Sequence, residues 1–185
     1  MATVDLLFAG YADDRVAGTV SCVRDEGLIA IVDPGMVPSR SVILDPLAKL
    51  GIRPGDVTDV ILSHHHPDHT INVALFQNAR VHDYWAIYEN DLWIDRPAEG
   101  AVLAPGVSLL QTPGHTAQDI TTMVDTSNGI VALTHLWWDE HSESDPLAQD
   151  LDSLFEHRER VLETASRIIP GHGAPFTPVR PGSTH

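Results

Sequence analysis

The segment Val60-Ile61-Leu62-Ser63-His64-His65-His66-Pro67-Asp68-His69 sets a short apolar run directly before imidazole or carboxylate groups at positions 64, 66, 68 and 69. The apolar run reads as a buried strand, and Ile71 to Leu75 has the spacing of an apolar helix face. The cluster is therefore expected where a strand ends and a helix begins. A loop there turns His64 and His66, two positions apart, toward one metal and offers Asp68 and His69 to a second. Imidazole and carboxylate are ligands for zinc, manganese and iron. The bland reading, a polar loop or a chance histidine run, does not explain four such groups within six positions. His65, between the first two ligand positions, is expected to turn away from them.

The surrounding pattern is that of a layered sheet protein of the α/β class. Residues 4–9, 18–24 and 28–33 read as strands, the last two joined by Asp25-Glu26-Gly27 as a hairpin turn. Ser41 to Leu50 has helical spacing before Gly51, and Val57 to Leu62 is the strand that delivers the cluster. Ala79 to Val81 reads as a strand, His82 to Glu89 as a helix or turn, and the Pro- and Gly-containing stretch to Gly106 as mainly irregular chain with one short strand, overhanging the site. Val107 to Gln111, Ile120 to Val124 and Gly129 to Thr134 resume the strand pattern, Leu147 to Ala165 is the best long helix, and 167–170 feeds Gly171-His172-Gly173. One domain over residues 1–179 and a loose tail over 180–185 are expected.

Composition narrows the function classes. The formal charge of -15 disfavours non-specific attraction to nucleic acid or anionic membrane. No apolar run approaches a membrane span, and the first dozen residues lack the basic start of a secretory signal, so a soluble, cytoplasmic protein is expected. Cys22 is the single cysteine and is expected to be buried and inert.

Two further histidines stand in similar contexts: Pro113-Gly114-His115-Thr116 follows one strand and Pro170-Gly171-His172-Gly173 another. Adjacent glycines permit tight turns that aim both rings at a common centre. The pattern His64-x-His66-x-Asp68-His69, then His115 and His172, resembles the metallo-beta-lactamase superfamily, most nearly the small members related to metallo-beta-lactamase domain-containing protein 1. That resemblance implies a four-layer alpha-beta/beta-alpha sandwich. It also implies one metal on His64, His66 and His115 and another on Asp68, His69 and His172, with Asp33 supporting the site from behind. The chain departs from the family at Leu133-Thr134-His135-Leu136, where relatives carry a bridging carboxylate. A neutral His135 can bind one ion; bridging two requires an imidazolate. Asp139 or Glu140 is the nearby carboxylate expected to compensate if one does.

The chemistry this implies is hydrolysis of an ester, lactone, thioester or phosphoester by metal-activated water, with one or two ions, zinc first and manganese or iron as substitutes. Asp68 is the expected catalytic carboxylate, and Trp137 and Trp138 the expected walls of a small-molecule pocket, one packed under the sheet and one facing the mouth. A mononuclear iron persulfide dioxygenase and a non-catalytic metal-binding scaffold are the alternatives. Class B beta-lactamase activity is disfavoured because Cys22 lies too early to be a ligand. Exposed aromatics between residues 84 and 93 leave an oligomer open.

Overall fold

The computed structural model describes residues 1–179; the expected tail at 180–185 lies outside the described residues. The chain runs through β1 (Thr3–Phe8), β2 (Tyr11–Ala12), β3 (Val16–Ala17), β4 (Val20–Asp25), β5 (Leu28–Val32), α1 (Ser41–Lys49), β6 (Asp59–Ile61) and α2 (Pro67–Thr70). It continues through β7 (Arg80–His82), β8 (Ala86–Glu89), β9 (Leu92–Asp95), β10 (Val102–Ala104), β11 (Val107–Gln111), β12 (Ile120–Thr126), β13 (Gly129–Thr134), α3 (Leu151–Leu162) and β14 (Ala165–Pro170). One mixed sheet has the order β1-β4-β5-β6-β7-β8-β9 and the other β10-β11-β12-β13-β14, while β2 and β3 form a separate hairpin.

Alternation along the strands builds the four layers. Leu28, Ala30 and Val32 of β5 join Val131 and Leu133 of β13, Leu109 of β11 and Ile169 of β14 in the core between the sheets. Ile31 points the other way, into a second cluster with Ile43 and Leu47 of α1. Ala132 and Ile168 do the same on the far sheet, meeting Leu154 and Val161 of α3. Strands buried on both faces appear as near-continuous apolar runs in sequence, and helices on the outer faces complete the expected sandwich.

The sheets carry the site at one end. β5, β6 and β7 are parallel neighbours, as are β13 and β14. Asp33 follows β5, Ser63 to His69 follow β6, His115 follows β11, His135 follows β13 and His172 follows β14. Each therefore projects beyond the carboxyl end of a strand, the edge where open α/β sheets gather ligands.

Several local expectations need correction. Residues 82–89 are not helical: Asp83 accepts bonds from the Trp85 and Ala86 amides (2.8 and 2.9 Å) and launches β8. β8 then pairs with β9 through a two-residue Asn90-Asp91 turn, with Asn90 in the left-handed region (φ 55°). The stretch before Gly106 contains β9 and β10 and lies at sheet edges rather than over the site. The long helix starts at Leu151, with the Asp150 carboxylate capping the Ser153 amide (3.0 Å), and ends before β14 begins at Ala165. Ile71 to Leu75 forms one tight turn after the four-residue α2. The β2–β3 hairpin had no counterpart in the sequence reading.

Candidate metal centre

Six histidines and one aspartate converge at that edge. His64 Nε2 stands 3.0 Å from His66 Nδ1, which is 3.1 Å from His115 Nε2. Beside this set, Asp68 Oδ2 is 3.3 Å from His69 Nε2 and 3.6 Å from His172 Nε2. His135 Nε2 lies 3.1 Å from His172 Nε2. All the histidines except His66 are buried.

The environment fixes which ring atoms face the centre. His69 Nδ1 donates to Asp33 Oδ2 (2.9 Å), His115 Nδ1 to Asp145 Oδ2 (2.7 Å) and His172 Nδ1 to the Ala17 carbonyl (3.1 Å). Each bond holds the proton at Nδ1 and turns the Nε2 lone pair inward, the arrangement that orients metal-bound imidazoles. His69 Nε2 is buried and meets no hydrogen-bond partner among the described residues. His66 Nδ1 faces two ring nitrogens and has at most one proton for them. Donors on a tetrahedral zinc with bonds of about 2.0–2.1 Å stand roughly 3.3–3.4 Å apart. Inward-facing ring nitrogens at these spacings fit a divalent cation in each set, at His69 in exchange for its Nε2 proton.

Protonation separates His69 from the other rings. Burial, reinforced by the neighbouring rings, pushes His64 and His135 far below the usual imidazole range and His66 and His172 below it. All four are neutral and able to coordinate. For His69 burial acts downward too, but the Asp33 and Asp68 carboxylates outweigh it and raise the ring to about 9. Asp68 is pushed up by burial and pulled further down by His69, to about 2.

The backbone around Asp68 is equally constrained. Its carbonyl accepts the amides of Gly18 and Met36, both at 3.1 Å. A Cβ on Gly35 would lie 1.6 Å from that carbonyl oxygen, so only glycine permits the approach. Asp33 itself sits at φ 52°, a conformation aspartate tolerates, and its Oδ1 accepts the Ser63 amide (2.7 Å) while Oδ2 holds His69. Similarly, a Cβ on Gly171 would fall 2.4 Å from His135 Cδ2, so the ring lies flat against the turn that presents His172.

The sequence-derived ligands His64, His66, Asp68, His69, His115, His135 and His172 thus meet in one place, with Asp33 behind His69. His65 turns away to Asp83 Oδ2 (3.0 Å) and the Trp85 ring. The two tryptophans separate. Trp138 lines a cleft of about 340 Å³ with Ala12, Val16, His66, His115 and Leu147. Trp137 is a correction to the pocket expectation: it is buried against Phe176 and under the Arg158 guanidinium. Neither Asp139 nor Glu140 reaches the centre. Asp139 bonds Ser142 and the His141 amide, and Glu140 is exposed. The buried carboxylate that does reach it is Asp145, which the sequence did not single out among 26 acidic residues. Asp119, also missed, accepts the Thr116 amide (2.7 Å) and hydroxyl and so fixes the turn that carries His115.

Comparison with known proteins agrees with this geometry. The sequence profile described as the metallo-beta-lactamase superfamily matches residues 13–178. Metallo-beta-lactamase domain-containing protein 1 of Xenopus laevis is 31% identical over 195 aligned positions, covering 97% of this chain and 83% of that protein. Among solved structures, a metallo-beta-lactamase family protein of Thermus thermophilus superposes with a TM-score of 0.71 at 18% identity, covering 94% of this chain and 74% of that one. An N-acyl homoserine lactone hydrolase, with the product N-hexanoyl-L-homoserine at its catalytic metal centre, superposes with a TM-score of 0.63 at 21% identity, covering 87% and 84%. In fold, in motif and over nearly its whole length, this chain belongs to the metallo-beta-lactamase superfamily, among the relatives of domain-containing protein 1.

Proposed function

We propose that this protein is a metal-dependent hydrolase of small, uncharged carboxylic acyl compounds, an ester, lactone or thioester, with zinc as the working ion. The carrying observation is that inward-facing donor sets open into a cleft without a lysine or arginine among its described lining residues. A divalent cation bound there lowers the pKa of water toward neutrality and polarises a carbonyl.

The protein's own groups divide the remaining work. His64, His66, His115 and His172 serve as ligands through ring nitrogens, while Asp33 and Asp145 hold the His69 and His115 rings with Nε2 facing the centre. Asp68, partly exposed between the two sets, orients the attacking water and passes its proton to the leaving oxygen or sulfur. Trp138, Val16 and Leu147 supply apolar surface for the acyl chain and exclude water from it.

The lining of the cleft supports an acyl over a phosphoryl substrate. A phosphoester carries negative charge to the site, and phosphate-binding sites ordinarily supply arginine, lysine or a helix N-terminus. Here the lining offers Asp13 and Asp68 instead, on a chain of charge -15. A neutral acyl group needs no such cationic side chain. The lactone hydrolase sharing this fold has an acylated product at its metal centre, which supports the same substrate class.

Zinc-, manganese- and iron-loaded protein assayed against an aryl ester, an N-acyl homoserine lactone, a thioester and a phosphodiester tests the proposal. Acyl substrates are expected to turn over, with activity lost to a chelator and restored by metal. Faster phosphodiester cleavage, oxygen consumption with a thiol persulfide, or retained metal without any turnover would each overturn it.

A further inference from the structure

Resting on the hydrolase reading above, we infer that Thr19 is a positioning residue. Through one hydroxyl it fastens the β2–β3 hairpin, which walls the cleft, to the turn that presents His172. The substrate wall and a metal ligand are thereby held in a single register.

The hairpin cannot place itself. β2 and β3 pair Tyr11 with Ala17 and Ala12 with Val16 and form a sheet of their own, and a two-stranded hairpin alone is marginally stable in water. Its position is set at the base, where the chain enters at Gly10 and leaves at Thr19. The buried Thr19 accepts the Gly10 amide (3.1 Å) and the Gly173 amide (3.1 Å) at Oγ1, and its hydroxyl donates to the Gly173 carbonyl (3.3 Å). One proton and two lone pairs are all that a hydroxyl has, so its whole capacity joins the hairpin's entry to the Gly171-His172-Gly173 turn. The Thr19 amide adds a bond to the Gly171 carbonyl (2.8 Å). A Cβ on Gly10 would lie 2.3 Å from the Ala17 carbonyl oxygen, so the base closes with no side chain between its ends.

The three residues at the hairpin's exit each reach the framework of the centre. Ala17 gives its carbonyl to His172 Nδ1–H (3.1 Å), Gly18 its amide to the Asp68 carbonyl (3.1 Å), and Thr19 its hydroxyl to Gly173. Beyond the base, Ala12, Asp13 and Val16 line the cleft together with Trp138, Leu147 and His172. A displaced hairpin therefore changes two things at once, the shape of the acyl wall and the acceptor that keeps the His172 proton at Nδ1. Gly10 and Gly173 are half-buried, so water can take over their amides when the hydroxyl is removed. The fold then survives and the hairpin is freed.

The test compares the full chain as wild type, as Thr19→Val, which keeps the shape and loses the hydroxyl, and as Thr19→Ser, which keeps the hydroxyl. Amide hydrogen exchange and long-range nitrogen–proton correlation of the imidazoles are measured on metal-stripped protein, and KM and kcat for an aryl acetate and an aryl octanoate on zinc-loaded protein. Thr19→Val is expected to speed exchange at Gly18 and Thr19 roughly three- to tenfold, the loss of about one hydrogen bond. Exchange along β5 should stay as in wild type, and His172 should become a mixture of tautomers. KM for the octanoate should rise by a similar factor while KM for the acetate and kcat move less, and Thr19→Ser should restore all of these. Wild-type exchange in Thr19→Val, equal acceleration along β5, an unchanged octanoate KM in protein that turns over, or a Thr19→Ser that behaves like Thr19→Val would each overturn the assignment. If Thr19→Val fails to fold, Gly10→Ala opens the same base from its other end and carries the same exchange, tautomer and KM expectations. The exchange and tautomer arms do not need turnover, so a loaded protein that hydrolyses nothing would refute the hydrolase proposal while those two arms still decide the role of Thr19.

Discussion

Replacing Asp145 by asparagine changes one oxygen for an N–H group and is expected to disable the three-histidine set from behind. Asp145 Oδ1 accepts the Leu147 amide (2.8 Å) and Oδ2 accepts His115 Nδ1–H (2.7 Å). Burial pushes the Asp145 carboxyl up, but the bonds from His115 and Leu147 outweigh it and hold it below its ordinary range. In Asp145→Asn the Leu147 amide still demands an acceptor, which fixes the carbonyl oxygen on that side and turns the amide N–H toward His115. Two donors then face each other unless His115 moves its proton to Nε2, the atom 3.1 Å from His66 Nδ1. Either outcome opposes coordination. Losing such a supporting partner typically weakens metal affinity 10- to 100-fold, about 1.4–2.7 kcal/mol. Competition against a chromophoric chelator measures the affinity, and long-range nitrogen–proton correlation spectra of the imidazoles identify the tautomer. An Asp145→Asn protein that keeps His115 protonated at Nδ1 and binds metal within about threefold of wild type would refute the reasoning.

Four other outcomes are expected. Gly35→Ala forces a methyl onto the Asp68 carbonyl, 1.6 Å away before relaxation, and should lose about 3 kcal/mol by urea denaturation, the upper end of overpacking costs. Trp137→Ala should destabilise by about 3–5 kcal/mol, whereas Trp138→Ala should leave the melting temperature nearly unchanged and raise KM for acyl substrates; the reverse pattern would remove Trp138 from the substrate wall. For the metal-stripped protein, stability should peak near pH 6.5. The depressed His64, His66, His135 and His172 resist the protons that the unfolded chain takes up as pH falls below about 6.5, while the stability from His69, whose ring is raised to about 9, is complete below 6.5 and lost as pH rises through 9. Melting curves from pH 5 to 9.5 show both limbs, and His69→Gln should remove the alkaline one. Cys22, buried and pushed up to about 12 by desolvation, should resist alkylation until the fold is denatured.

What the sequence made legible follows from how each signal is written. The ligand motif is local: four groups in six positions, a strand before them, and two glycine-histidine turns. The strands of the core were readable because burial on both faces leaves long apolar runs, as in Leu28 to Val32 and Gly129 to Thr134. For residues 82–89 the sequence left helix or turn open because the aromatics suit a helix face as well as a strand, and the deciding contact, which makes a turn and then β8, is the Asp83 carboxylate on two following amides. Asp145 was invisible for a different reason. Its partner lies 30 residues away, and a lone aspartate before a proline reads as a turn. Gly35 was legible only as part of an Asp-Pro-Gly break; that Asp68 approaches it from across the fold is a tertiary fact.

The substitution at position 135 has a consequence for the charge of the whole centre. With a histidine at position 135, Asp68 is the sole anionic donor among the converging ligands, and two divalent ions would leave the ligand shell carrying three positive charges. A buried site cannot hold that excess without compensation. The compensation lies one residue further out, in the carboxylates of Asp33 behind His69 and Asp145 behind His115, each buried and each joined to its imidazole by a bond under 3 Å. Negative charge is thus applied through the rings. Such charge makes an imidazole a stronger donor without occupying a coordination site. Removing both supports should therefore cost more than the sum of the single losses, since either carboxylate alone still offsets part of the charge shared by the two ions. Metal affinities of Asp33→Asn, Asp145→Asn and the double variant measure that coupling, and strict additivity would show that each carboxylate acts only on its own histidine.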